Sequence, residues 1–153
     1  MDAMSDILAR IEHDRGCWRT IARLRCWPEP IEIGMFADDS GPTPYQKKVL
    51  QAILDHQTDL KSLIERPAFE FCKQFAGETF GSLDDDCNFI DFEFPALTEP
   101  AEIWDLIDAP SIDIPDFGDP QHIEFEVSFH CRFDIEHGMN ARFVDFRVDG
   151  VSK

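Results

Sequence analysis

The sequence predicts an α+β fold: an antiparallel sheet, built from an N-terminal three-strand meander and a C-terminal hairpin, with a helical pair packed on one face. Three observations carry that expectation. Near both ends, apolar residues alternate with polar ones at the period of two that a half-buried strand requires. In the middle, two stretches repeat at i, i+3, i+4 instead. The first of these opens on Thr43-Pro44-Tyr45-Gln46, where Thr caps, Pro suits the first helical turn and Gln reaches back in a capping box. With 153 residues, 43% hydrophobic side chains and fourteen Phe, the chain has the size and apolar content of one domain, residues 1–153.

In chain order, a first strand is expected at Ile7–His13, before the turn Asp14-Arg15-Gly16. A second runs from Trp18 to Trp27 with Trp18, Thr20, Ala22, Leu24 and Cys26 on one face. Pro28-Glu29-Pro30 breaks it, and Ile31, Ile33 and Met35 alternate in a third. The helix after Thr43 carries Tyr45, Val49, Ala52, Ile53 and His56 on one stripe. Thr58 is expected to cap a second helix, whose stripe runs Leu60, Leu63, Ile64, Pro67, Ala68, Phe71, Cys72 and Phe75. Pro67 removes one helical hydrogen bond and predicts a kink or break. From 78 to 120 the pattern yields only short pieces: a strand with Ile90, Phe92 and Phe94, a short helix with Ile103, Trp104 and Ile107, and an extended piece at Ile112 and Ile114. Strict alternation from Ile123 to Phe133, with a return strand Met139–Val148, predicts a hairpin about the turn Asp134–Gly138. The alternation slips at Phe143–Phe146, where a bulge would restore the face.

Charge is the most distinctive property. The formal net charge is −17, and it is segregated along the chain. Residues 1–77 hold ten Lys/Arg against twelve Asp/Glu, whereas residues 78–153 hold four against nineteen. Between Lys73 and Arg132 fifteen acids occur without one basic residue. Such a surface repels nucleic-acid backbones and anionic lipid, and it attracts and steers a basic protein. The candidate partner-binding residues are therefore Asp84, Asp85, Asp86, Asp91, Glu93, Asp105, Asp108, Asp113 and Asp116, with Glu136 and His137 at the tip of the C-terminal turn. Acids next to Ile90, Phe92 and Phe94 are expected to project to solvent while the apolar residues anchor the segment.

Other chemistry finds little support. Asp84-Asp85-Asp86-Cys87-Asn88 imitates the opening of a calcium loop, but Phe89 and Pro95 stand where its Gly and Glu belong. His130 and Cys131 point to opposite faces of one strand, and the five cysteines show no CxxC spacing, so free buried thiols are expected. No phosphate loop, nucleophile elbow or HExxH occurs. The reading is of a binding protein with no catalytic residue, cofactor or metal. With an acidic N-terminus and no long apolar run, it is placed in the cytoplasm. Alternatives are an acidic adaptor or inhibitor that imitates a nucleic acid, and an enzyme whose active site leaves no motif.

Phe129-His130-Cys131-Arg132-Phe133-Asp134-Ile135-Glu136-His137-Gly138 resembles the strand-turn motif Phe-x-Cys-x-aromatic-Asp-x-Glu-His-Gly of a family of small uncharacterised bacterial domains. Trp18 in the meander and the Thr43–Gln46 helix start are similar too. Met139-Asn140 and Pro67 depart from the pattern. Many such domains are thought to be immunity proteins encoded beside toxins. The resemblance thus implies a toxin-neutralising immunity protein whose basic partner is a cognate toxin.

Overall fold

The computed structural model describes residues 3–153, with the side chains of residues 135 and 136 outside the description. Among the described residues three α-helices, α1 (Ala3–Ala9), α2 (Pro44–Asp55) and α3 (Leu60–Cys72), accompany nine strands. The strands are β1 (Glu12–Asp14), β2 (Cys17–Ala22), β3 (Ile31–Phe36), β4 (Thr79–Leu83), β5 (Phe89–Glu93), β6 (Ile107–Ile114), β7 (Glu124–Cys131), β8 (Asp134–Val144) and β9 (Arg147–Ser152). Seven form one sheet in the order β1-β2-β3-β6-β7-β8-β9, and β4-β5 is a separate hairpin. The α+β class and the mostly antiparallel sheet agree with the sequence. The sheet is mixed, however, because β3 pairs with β6 in parallel, Gly34 beside Asp113 and Met35 beside Ile114.

The N-terminal meander is present but shorter than expected. Residues 3–9 are helical because Met4, Ile7, Leu8 and Ile11 also recur at helical spacing, and all four pack on the core. The helix end is tied to the sheet by the Thr20 hydroxyl, which donates to the Ile7 carbonyl at 3.1 Å. Strand β2 stops at Ala22. Beyond it the Trp27 N–H turns back to the Leu24 carbonyl, and Gln57 accepts the Arg25 N–H. Leu24 and Trp27 are buried from that turn, so the apparent alternation there does not mark a strand.

Helix α2 has the capping box between Thr43 and Gln46. Asp59, not Thr58, precedes α3, and it makes no side-chain cap. Helix α3 continues through Pro67, with Leu60, Ile64, Ala68 and Cys72 buried. Both helices and the inward side chains of β2, β3, β6, β7 and β8 build one core. Burial of Cys72 and Cys131 pushes each thiol up to about 12, so both remain neutral packing groups.

At the C-terminal end, β7 and β8 pair antiparallel with Phe125 opposite Phe143, Val127 opposite Ala141 and Phe129 opposite Met139. The turn between them is Arg132-Phe133, since Cys131 already faces Asp134. The Asp134–Gly138 segment has the expected local chemistry in a different place, inside β8. Asp134 accepts the His137 N–H at 3.0 Å, and Gly138 takes φ +72°, where a Cβ would collide with the Phe129 carbonyl. The slip at Phe143–Phe146 is a turn: Asp145 and Phe146, both with positive φ, form a two-residue loop into β9. The bulge lies just before it, between Arg142 and Phe143 on the β8–β9 pair.

Gln46 holds the centre together. Fully buried, it accepts the Thr43 N–H through Oε1 at 2.9 Å and donates from Nε2 to the carbonyls of Phe36 at 2.7 Å and Ile114 at 3.3 Å. Those carbonyls end the two parallel strands. Gln46→Ala should destabilise the protein by about 2–4 kcal/mol, since the Phe36 and Ile114 carbonyls lose their donor and the helix loses a cap. Gln46→Glu keeps the capping oxygen but sets a carboxylate against both carbonyls, so it should be at least as damaging. Urea unfolding measures both; a Gln46→Glu protein as stable as the parent would limit this side chain to capping.

Candidate functional site

The helices cover one face of the seven-stranded sheet, and among the described residues no helix packs on the other. The register lays the outward side chains of that open face in rows. One row crosses five strands as Arg19, Gly34, Asp113, Glu126 and Arg142. The next holds Ile21, Glu32, Ser111, Ser128 and Asn140. Gly34 leaves room in the first row, for a Cβ there would lie 3.0 Å from Asp113 Oδ1. Asp113 and Glu126 stand directly opposite on neighbouring strands, both half-buried.

Burial holds the carboxyls of Asp113 and Glu126 above the ordinary carboxylate range, and neighbouring acids add to it: Glu32 acts on Asp113, and Asp113 on Glu126. Arg19 and Arg142 offset part of the effect. Each arginine is already engaged, Arg19 with Glu32 at 3.7 Å and Arg142 with Glu124 at 3.2 Å and Asp149 at 3.4 Å. Two hollows lie on this face. One, of about 1190 Å³, reaches round the end of the sheet, where Lys61 of α3 and Trp104 join Trp27, Leu83, Asp108, His130 and His137 around it. Its floor includes a β6 irregularity, where Ala109 takes φ +49° and Pro110 interrupts pairing with β7. The other, of about 500 Å³, lies at the opposite end between Phe36 and Phe117.

The β4-β5 hairpin borders the larger hollow. Its base is fixed by rings: Phe80 and Phe94 pack with Phe75 and Phe133 at centroid separations of 5.0–6.3 Å. The Lys153 ammonium lies 4.8 Å from the Phe80 ring centre. Toward the tip the apolar residues come out. Leu83 faces Phe89 across the strands, 41% and 81% exposed, and Asp91 and Glu93 share their side. Ile90 is 43% exposed, so of the three expected anchors only Phe92 and Phe94 pack against the core.

The candidate acids therefore do not form one uniform patch. Asp85, Asp86, Asp91 and Glu93 are exposed on the hairpin. Asp84 instead shapes its tip: the Asn88 and Asp86 N–H groups donate to it at 2.8 and 3.0 Å, and these bonds hold its carboxyl below the ordinary range. Asp108 and His137 come together around the larger hollow. Asp113 is on the open face rather than projecting freely, Asp105 ends a short 3₁₀ helix, and Asp116 follows β6. The side chain of Glu136 lies outside the described residues. Sequence reasoning missed Phe36, Leu83, Phe89 and Phe117, four of the exposed apolar residues. Phe36 stands next to the inward Met35 at the end of an alternating run, and Phe89 stands out of phase just before Ile90, Phe92 and Phe94. In the sequence Glu126 is only the polar member of an alternation.

Among the described residues no three His, Cys, Asp or Glu side chains gather to hold a metal, and no helix is long and apolar enough to cross a membrane. What fold and site define is an α+β domain with one helix-covered sheet face and one open, acid-bearing face. Residues 7–153 match the family described as Domain of unknown function (DUF6985), and the chain belongs to it. No curated protein matches the chain. No solved structure matches it.

The raised carboxyls predict a pH dependence. Native Asp113 and Glu126 hold protons more tightly than the unfolded chain does, so their contribution to stability falls as pH rises from about 4 through the raised native values. Asp113→Asn and Glu126→Gln should each stabilise the protein near neutrality, and the gap from the parent should widen as pH rises. Urea midpoints from about pH 4 to 7 test this; variants that lose stability as pH rises relative to the parent would contradict it.

Proposed function

We propose that this protein is a cytoplasmic binding protein, with no catalytic role, that holds a basic protein partner through its acidic hairpin and the adjoining open sheet face. The observation that carries the reading is the Leu83–Phe89 pair. A cross-strand apolar pair this exposed is costly to leave in water, and aromatic anchors ringed by polar groups are the usual composition of an interface. Asp91 and Glu93 share its side of the hairpin and Asp85 and Asp86 stand exposed in the turn, all within the long interval without Lys or Arg. The division of labour follows from magnitudes. Exposed charges act mainly on encounter rate, whereas a buried aromatic acts on dissociation. The more specific reading, a toxin-neutralising immunity protein, is supported by the resemblance carried by Phe129–Gly138, and the partner is then the toxin.

With the partner obtained by capture from the native host, Asp85, Asp86, Asp91 and Glu93 neutralised together should slow association about tenfold at low salt and flatten its salt dependence. Asp84 is left intact because it builds the turn. Phe89→Ala should instead speed dissociation, at a cost of about 2 kcal/mol. Stopped-flow or surface-based kinetics across ionic strength separate the two. A charge variant that associates as fast as the parent at every salt concentration would reduce these acids to a solubility role.

A further inference from the structure

The smaller hollow on the open face has a composition unlike the rest of the surface. Phe36, at the end of β3, and Phe117, in the loop after β6, are 54% and 79% exposed and wall it. Asp113, Glu126 and Pro115 line it, together with Glu124 and Arg142, which are paired with each other at 3.2 Å. Among the described residues neither Asp113 nor Glu126 takes a hydrogen bond or a close ion pair, because Arg19 and Arg142 are held by Glu32, Glu124 and Asp149. Two carboxylates from neighbouring strands thus sit between two aromatic walls with no close ion pair of their own, Arg19 and Arg142 standing farther off.

We infer that this hollow seats one arginine side chain of the basic partner, with its guanidinium held by Asp113 and Glu126 and its flat faces against Phe36 and Phe117. The inference rests on the binding reading and names the part of the partner that the open face takes. Several features favour arginine over lysine. A guanidinium offers a planar fork of donors that two adjacent carboxylates match, it stacks on aromatic rings, and it is less strongly hydrated than an ammonium. A neutral apolar side chain would leave both carboxylates desolvated and uncompensated. An acid would add a third like charge. The hollow, about 500 Å³, also has room for a single long side chain with part of its backbone.

The test needs no knowledge of the partner. A short extended peptide, acetyl-Val-Thr-Arg-Thr-Val-amide, is titrated into isotopically labelled protein while amide resonances are followed, beside its citrulline analogue, which keeps the shape and loses the charge. The arginine peptide should shift Phe36, Asp113, Phe117 and Glu126 saturably, and the citrulline peptide should bind about tenfold more weakly or worse. The double variant Asp113→Asn, Glu126→Gln should lose arginine binding by a similar factor. Both changes preserve shape, and Phe117→Ala, at an exposed site, provides an independent check without disturbing the core. The variant with Asp85, Asp86, Asp91 and Glu93 neutralised should bind the peptide at the hollow as the parent does. Equal binding of the citrulline peptide overturns the inference, as does the absence of a saturable shift at these four residues. Shifts that vanish in the hairpin variant and persist in the double variant also overturn it, while leaving the acidic-hairpin reading standing.

Discussion

One buried amide decides where the sheet is joined. Gln46 binds the last carbonyls of β3 and β6, and through the capping box it fixes the start of α2 at the same point. Parallel neighbours cannot be joined by a tight turn, so the chain between them must make a long crossover. Here that crossover holds α2, α3 and the β4-β5 hairpin. Because α2 is tied down beside the parallel pair, the helical mass packs on one side of the sheet. The N-terminal meander and the C-terminal strands become one surface on the other. The row from Arg19 to Arg142 exists only because of that junction. So does the smaller hollow, since Phe36 ends β3 and Pro115 follows β6 at the strand ends that Gln46 holds.

The acids of this protein fall into two physical kinds, and their sequence positions do not separate them. On the hairpin, charges are exposed and screened, so they contribute little to folding either way. Their effect is on what approaches the surface. On the open face, Asp113 and Glu126 are half-buried, face each other and have their nearest arginines engaged elsewhere. There desolvation and like-charge repulsion exceed the help from Arg19 and Arg142, as the upward direction of both carboxyls records. Such a pair weakens the isolated protein near neutrality. A cation brought by a partner would relieve it.

Much of the architecture was legible from periodicity and caps. The Thr43–Gln46 start, the β7 alternation and the inward faces of β3 and β6 follow from local rules that tertiary packing reinforced. The failures share a cause, which is that a local pattern was compatible with two geometries. Ile7 and Ile11 satisfy both strand and helix periods, and Leu24 and Trp27 are buried from a turn at strand-like spacing. Asp134 and Gly138 carry turn chemistry but serve a distortion inside β8. The parallel β3–β6 pairing joins residues some eighty positions apart, and no local signal encodes that. For the same reason the sequence could show that acids were abundant, but not that Asp113 would meet Glu126 or that Phe36 would stand beside Phe117.

The central claim is that the uncovered sheet face and its hairpin, not the helical side, meet the partner. Hydroxyl-radical footprinting of the protein alone and in complex with its captured partner tests this most directly, because oxidation reports solvent access at individual aromatic rings. Phe36, Phe89 and Phe117 are open to solvent in the protein alone. All three should lose most of their labelling in the complex, while His56, exposed at the end of α2, labels as before. Unchanged oxidation of the three phenylalanines, with protection moved to the helices, would contradict it.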